Sequence, residues 1–331
     1  MISVIIPAYN AEKQIINCLK SFEKQRYKEF EIIVVNDGST DKTVEVVNDY
    51  KQQSSMEISL ISKMNSGVSA ARNTGVLHAS GNYICFVDSD DMVTPEYIEK
   101  LREAIKKNKA DVSFCDYREV SEGFVNSDIF ETITGTQVLA VDEALEKFLY
   151  RDIYPGVWCF LIRKEFFISN NLKFSHGYRY SEDIELIYKL LACSSKTVHI
   201  KGKFYLYRIS NTSVMSLVDD KRRDGYELMK NLENYFKDFS IEFSRKYNKF
   251  GVARWVWATM WQVALASKNY KEFSDSMKYY MPKLYMKKLI SFPRYKIALT
   301  SITYILSPKT YYKLIRIYKV RNDSGRLFKN G

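Results

Sequence analysis

Asp88-Ser89-Asp90-Asp91 places three carboxylates within four residues, directly after the apolar run Tyr83-Ile84-Cys85-Phe86-Val87. Such a cluster at the end of a strand is costly unless a cation, a ligand or water takes up the charge. Oxygen-only donors suit Mg2+ or Mn2+, with phosphate and water completing the coordination. Thr94-Pro95-Glu96 follows at once, so the same residues also read as the acidic entry to a helix. A second acidic pair, Glu182-Asp183, opens a run in which Ile184, Ile187, Leu190 and Leu191 form an apolar stripe, which predicts both acids in the first turn of a helix. There they serve either as favourable N-terminal charges or as acid-base groups.

The elements that must position these groups are legible upstream. Ile2-Ser3-Val4-Ile5-Ile6 is a β-rich run stopped by Pro7, and Phe30-Glu31-Ile32-Ile33-Val34-Val35 is another, stopped by Asn36-Asp37-Gly38-Ser39. Ile15, Ile16, Leu19 and Phe22 recur at helical spacing between them, and Ile58-Ser59-Leu60-Ile61 precedes a tight segment from Asn65 to Asn73. Alternating strands and helices predict an α/β fold with a mostly parallel sheet, which binds ligands beyond the carboxyl ends of its strands. Tyr9, Asn10, Asp37, Asn65 and the carboxylate tetrad all fall at such ends. Asp37 can accept the N3–H of uracil or thymine or the N1–H of guanine, or it is a turn carboxylate before Gly38; Tyr9 offers a stacking face. Gly67 suits an unusual backbone angle, Asn73 a local cap, and Arg72 is either solvated or a partner for phosphate or Asp88.

Val4-Ile5-Ile6-Pro7-Ala8-Tyr9-Asn10, Val34-Val35-Asn36-Asp37-Gly38-Ser39-Thr40-Asp41, Gly67-Val68-Ser69-Ala70-Ala71-Arg72-Asn73 and Asp88-Ser89-Asp90-Asp91 resemble, in order and spacing, the motifs of family 2 glycosyltransferases across residues 1–115. Phe174-Ser175-His176-Gly177-Tyr178-Arg179-Tyr180-Ser181-Glu182-Asp183 extends the resemblance to about residue 216. It implies a GT-A fold, that is, an α/β Rossmann-like mixed sheet, followed by a helical C-terminal region. It also implies an inverting reaction on a nucleotide-sugar, with UDP favoured by the Asp37 reading. By that resemblance Pro7, Ala8, Tyr9, Asp37, Asn65, Arg72 and Asp88 approach the nucleotide. Asp90 holds Mg2+ or Mn2+, with Asp91 as an auxiliary metal ligand or as a residue supporting one, and Asp183 is the general base beside Glu182. Phe204-Tyr205-Leu206-Tyr207-Arg208 with its trailing serines resembles a segment that closes over the diphosphate, which makes Arg208 a second phosphate cation; on residue type alone it is equally an edge-strand charge. The chain departs from the family at His176, near a position that is often acidic, which leaves it an acceptor contact or a surface residue. The implied domains are 1–216, with a nucleotide part over 1–115 and an acceptor part over 116–216, and a helical, basic region over 217–331. The usual setting of such chains is bacterial capsule, exopolysaccharide or lipopolysaccharide synthesis, with a glycan or polyprenyl-diphosphate-linked oligosaccharide as acceptor. Processive relatives carry Gln-x-x-Arg-Trp; here Arg254-Trp255 has Gly251 in the Gln position, which disfavours repeated transfer.

Two other functions compete. A sugar nucleotidyltransferase would show an early Gly-rich phosphate loop, which Pro7-Ala8-Tyr9-Asn10 is not. A catalytically silent glycan- or lipid-binding protein would not be expected to retain Asp37, Asp90 and Asp183.

Charge is divided unevenly, net −6 over residues 1–200 and +17 over 201–331. Residues 281–331 carry 12 basic side chains against Asp323 alone, interleaved with aromatic and aliphatic residues from Tyr285 to Tyr318. That composition reads as an interfacial helix on an anionic membrane, or as a tail packed on the catalytic domain or on a second copy in a homodimer. No nucleic-acid module accompanies it, so nucleic acid is not an expected partner. Trp255, Trp257 and Trp261 read as the core of a helical appendage. Cys18, Cys85, Cys115, Cys159 and Cys193 lack pairing or metal spacing, and Met1-Ile2-Ser3 passes straight into a strand. The expectation is a cytoplasmic protein, peripheral at the inner face of the cell membrane.

Overall fold

The computed structural model describes residues 1–121, 124, 133–209 and 222–321. The chain divides into two compact units, Met1–Leu145 with Ile153–Ser210, and Glu146–Asp152 with Asn211–Gly331. The expected boundary at 216/217 and the trailing serines of 211–216 lie outside the described residues.

The first unit runs β1 (Ile2–Ala8), α1 (Ile15–Glu23), β2 (Phe30–Asn36), α2 (Thr43–Gln53), β3 (Glu57–Ser62), α3 (Val68–His78), β4 (Tyr83–Phe86), β5 (Met92–Val93), α4 (Tyr97–Asn108), β6 (Val112–Ser121) and β7 (Gly135–Leu139). After α5 (Val141–Tyr150), whose last turn belongs to the second unit, come β8 (Phe160–Arg163), α6 (Lys164–Ser169), α7 (Glu182–Cys193) and β9 (Thr197–Ile209). Among the described residues they form one sheet in the order β3-β2-β1-β4-β8-β6-β9-β5, with β7 also on β9. β1 to β4 are parallel, and β8 runs antiparallel to β4 and β6. β1 and β2 are buried along their whole length, which is why both read as near-continuous apolar runs rather than alternations; the exceptions inside them, Ser3 and Glu31, hydrogen-bond to each other at 2.6 Å.

Register brings the carboxyl ends to one edge, since Ala8 pairs with Asn36 and Asn36 with Ser62. Helix α3 approaches β1 so closely that a Cβ at Gly75 would meet Ile5 Cγ2 at 2.3 Å, so this turn of the helix admits only glycine. α1 buries Ile15, Leu19 and Phe22 of its predicted stripe, with Cys18 in place of the half-buried Ile16.

The tetrad does not enter a helix. β5 follows it and pairs with β9 (Met92 with Leu206, Val93 with Tyr205), and α4 starts only at Tyr97. Strand pairing captured the residues that propensity alone assigned to an N-cap.

The second unit holds α8 (Arg222–Tyr235), α9 (Ile241–Ala266), α10 (Tyr270–Met277), α11 (Pro282–Leu289), α12 (Tyr295–Leu306) and α13 (Pro308–Arg321). Trp255, Val256, Trp257, Met260 and Val263 on the long α9 are buried, and Arg254 beside them is buried too. Tyr285, Leu289, Phe292, Ile297, Tyr304, Tyr311, Tyr312 and Ile315 are also buried, so about half of the tail's apolar residues are core of this unit.

Candidate active site

The loops at the carboxyl edge are tied to one another before any ligand arrives. After β1, Asn10 takes a left-handed angle (φ 50°), and its Oδ1 accepts from Thr40 N at 2.8 Å while its own N–H donates to Ser39 Oγ at 3.0 Å. Pro7 and Ala8 are buried in β1, whereas Tyr9 stands exposed beyond the strand end, as a stacking residue requires. After β2, Asp37 is buried and its carboxylate accepts from Lys63 Nζ (2.8 Å), Ser66 N (3.0 Å) and Gly67 N (2.7 Å). It therefore anchors the loop that leads into α3. Gly38 (φ 73°) lies so close to that loop that a Cβ would meet Asn65 N at 2.7 Å, while Asn65 itself is exposed. Gly67 (φ 88°) supplies the unusual angle before α3.

Arg72, in the buried face of α3, is the hub. Its Nη2 donates to Asp88 Oδ1 at 2.6 Å and its Nη1 to Glu182 Oε1 at 3.4 Å, and the guanidinium lies 5.1 Å from the centre of the Phe174 ring. Two motifs that are 94 positions apart in the chain thus share one cation. Asn73 is not the local cap its type suggested: its Nδ2 donates to Phe174 O (2.9 Å) and its Oδ1 accepts from Phe174 N (3.0 Å). It fastens to α3 the segment that leads to α7. Side-chain amides satisfy a distant strand-like backbone as readily as a neighbouring turn, and nothing local distinguishes the two.

Ser181 adopts a left-handed conformation (φ 67°) immediately before α7, uncommon for a residue with a Cβ, and sets Glu182 and Asp183 at the helix start. Glu182 is buried and Asp183 half-buried. Loss of solvation first, and the Asp183 charge second, push the Glu182 carboxyl up to about 8 against the pull of Arg72. Loss of solvation also raises Asp183, opposed by Arg72 and by the Ile184 N–H that donates to its Oδ1 at 2.8 Å. His176 is exposed.

Within the tetrad the three acids diverge. Asp88 pairs with Arg72, and its N–H donates to Tyr205 Oη at 3.2 Å. Asp91 is 1% exposed; its Oδ2 accepts from Tyr205 Oη at 2.7 Å and its Oδ1 from Arg208 N at 2.7 Å. Both oxygens are held by β9, which suits a residue that supports Asp90 from behind. Asp90 points outward, and no described cation pairs with it; loss of solvation and the Asp88 charge raise its carboxyl to about 6. No group of three or more His, Cys, Asp or Glu side chains is poised around a metal among the described residues. The hard-oxygen chemistry of Asp90 beside Asp88 fits Mg2+ or Mn2+ with most ligands supplied by phosphate and water.

Arg208 is 6% exposed, and its Nε and Nη2 have no hydrogen-bond partner among the described residues. Two buried N–H groups without partners are costly until a ligand or water completes them. Tyr205 and Trp158 escaped the sequence reading. The Trp158 ring stacks on Tyr205 at 4.2 Å, which fixes the hydroxyl that holds Asp88 and Asp91. Only the Tyr within Phe204-Tyr205-Leu206-Tyr207-Arg208 hinted at this, and its partners lie more than 110 residues away. Asp91→Ala would strand the Tyr205 hydroxyl and the Arg208 N–H in the interior. The expected loss is about 2–4 kcal/mol, from two buried donors left unpaired, measured by urea unfolding.

The family model for glycosyl transferase family 2 matches residues 3–167. Glycosyltransferase GlyG of Streptococcus pneumoniae serotype 4 is 32% identical over 226 residues, 65% of this chain and 73% of GlyG. The crystal structure of Staphylococcus aureus TarS 1–349 in complex with UDP-GlcNAc aligns over 97% of this chain and 92% of that one, with TM-score 0.68 and 21% identity. Mannosyltransferase PcManGT from Pyrobaculum calidifontis, in complex with GDP-Man and Mn2+, aligns over 98% of this chain and 87% of that one with TM-score 0.58 and 12% identity. The fold is GT-A.

Proposed function

The chain belongs to glycosyl transferase family 2, and from that premise we propose that it moves one sugar from a UDP-sugar to a hydroxyl of a surface-polysaccharide acceptor, with inversion. Membership makes it a glycosyltransferase and removes both the nucleotidyltransferase and the silent-scaffold alternatives. The observation that carries the reading is the Asp88–Arg72–Glu182 bridge, because it ties the donor motif to the immediate neighbour of the candidate base.

In the proposed reaction Asp183 takes the proton of the acceptor hydroxyl as that oxygen bonds to the anomeric carbon. The bond from that carbon to the diphosphate oxygen breaks, and the electron pair leaves with UDP. Inversion needs only this one base, opposite the leaving group. Glu182, beside Asp183 and held by Arg72, would orient that base or meet the acceptor; lost solvation raises both carboxyls. Arg208 meets the diphosphate with charge-assisted hydrogen bonds. Asp90, with Asp88 beside it, would hold a divalent cation, which neutralises charge on the departing diphosphate. Tyr9 and the Asp37-anchored loop bind the uridine. Support for UDP comes from the TarS complex, and support for a divalent ion from the Mn2+ in PcManGT. TarS is named a poly(ribitol-phosphate) β-N-acetylglucosaminyltransferase, which favours UDP-GlcNAc as donor and a polyol- or glycan-type acceptor. A lipid-linked acceptor would suit such a site equally in chemistry.

Nucleotide release from a panel of UDP-, GDP- and dTDP-sugars, with Mn2+ and without acceptor, tests this. Release from UDP-GlcNAc above the others is expected; release from GDP-mannose alone would contradict the uridine assignment.

A further inference from the structure

Helix α12 is apolar on two faces. Ile297 and Tyr304 are buried with Ser301 between them, and they hold the helix to its unit. Tyr295, Leu299, Ile302 and Leu306, spaced by four, three and four residues, form a second stripe that is exposed, with Tyr295 at 73%, Leu299 at 61% and Leu306 at 80%. Leu314 and Ile317 continue the pattern on α13, which packs beside α12. An outward helix face in water is ordinarily polar, and an apolar one marks a partner or a membrane. Residues 282–321 contain ten Lys and Arg and no Asp or Glu, so the flanks of this stripe carry one sign of charge. No helix of the described residues is long and apolar enough to cross a membrane.

From these observations we infer that α12 and α13 dock on an anionic lipid bilayer, with the Tyr295–Leu306 stripe in the acyl boundary and the lysines over the headgroups. The charge decides the occupant. A second copy of this chain would bring the same basic flanks against these, whereas an anionic surface complements them. Tyr285, Leu289 and Phe292, which composition alone offered as part of the same face, are core and take no part.

The test is sedimentation of the full-length chain with vesicles of phosphatidylcholine containing about one-third phosphatidylglycerol. Binding is expected to the anionic vesicles, not to pure phosphatidylcholine, and to weaken with salt. Leu299→Asp/Leu306→Asp replaces exposed residues, so the melting temperature should hold while binding falls at least about 100-fold, the scale of two lost leucine insertions. Lys309→Gln/Lys313→Gln should weaken binding about 25-fold at low salt, about fivefold per charge. The inference is overturned if the wild type ignores anionic vesicles at low salt, or if both double variants bind as the wild type does. It is equally overturned if the wild type is a dimer that Leu299→Asp/Leu306→Asp dissociates, since the face then belongs to a second copy.

Discussion

Asp183→Asn is expected to lower sugar transfer by about 10²–10⁴-fold, the scale of a lost general base, while donor affinity is kept. The amide is isosteric and can still accept from Ile184 N, the bond that orients the carboxylate at the start of α7. Asparagine also removes a charge that burial disfavours, so stability should not fall. Steady-state kinetics separate the outcomes: kcat falls and the donor KM stays. An equal loss of donor affinity would make Asp183 a nucleotide ligand instead. The pH profile adds a second check. In the proposed reaction Asp183 works ionised, and lost solvation raises its carboxyl, so activity should disappear on acidification at a higher pH than the ordinary aspartate value of about 4.

Arg208→Met is expected to separate stability from function. Each charge-assisted hydrogen bond to phosphate is worth about 1.5–3 kcal/mol, so losing two raises the donor KM by about 100-fold or more. In the unliganded protein the same change removes a buried guanidinium whose Nε and Nη2 lack partners among the described residues. Replacing such a charge by an apolar chain of similar length should leave stability unchanged or raise it by about 1–3 kcal/mol. Urea unfolding and donor titration on one preparation decide the matter. A large loss of stability with an unchanged KM would mean that Arg208 is structural, and its Asp91-held backbone would then be the only part that serves the site.

Local signals carried much of this site. β1 and β2 announce themselves as Val- and Ile-rich runs, and the tetrad stands at the end of β4 where its apolar run stops. Sequence spacing says nothing, however, about which carboxylate meets which donor. Asp90 and Asp91 are adjacent and chemically identical, yet one faces out and the other is fixed by Tyr205 and Arg208, because β5 pairs with β9. Arg72 was readable as a partner for phosphate or for Asp88, but its link to Glu182 depends on α3 and α7 meeting through Asn73 and Phe174. The tail shows a different limit. Ile297 and Tyr304 are core while Leu299 and Leu306 are surface, and periodicity cannot choose between two apolar faces of one helix.

The central claim is direct displacement at the sugar carbon with Asp183 as base, and the stereochemistry of the first product tests it most directly. UDP-GlcNAc is α-linked, so with water in place of the acceptor, proton NMR at early times should show free GlcNAc appearing first as the β anomer. Asp183→Asn should slow that appearance by the same factor as transfer. First appearance of the α anomer, or a rate indifferent to Asp183, would contradict the account.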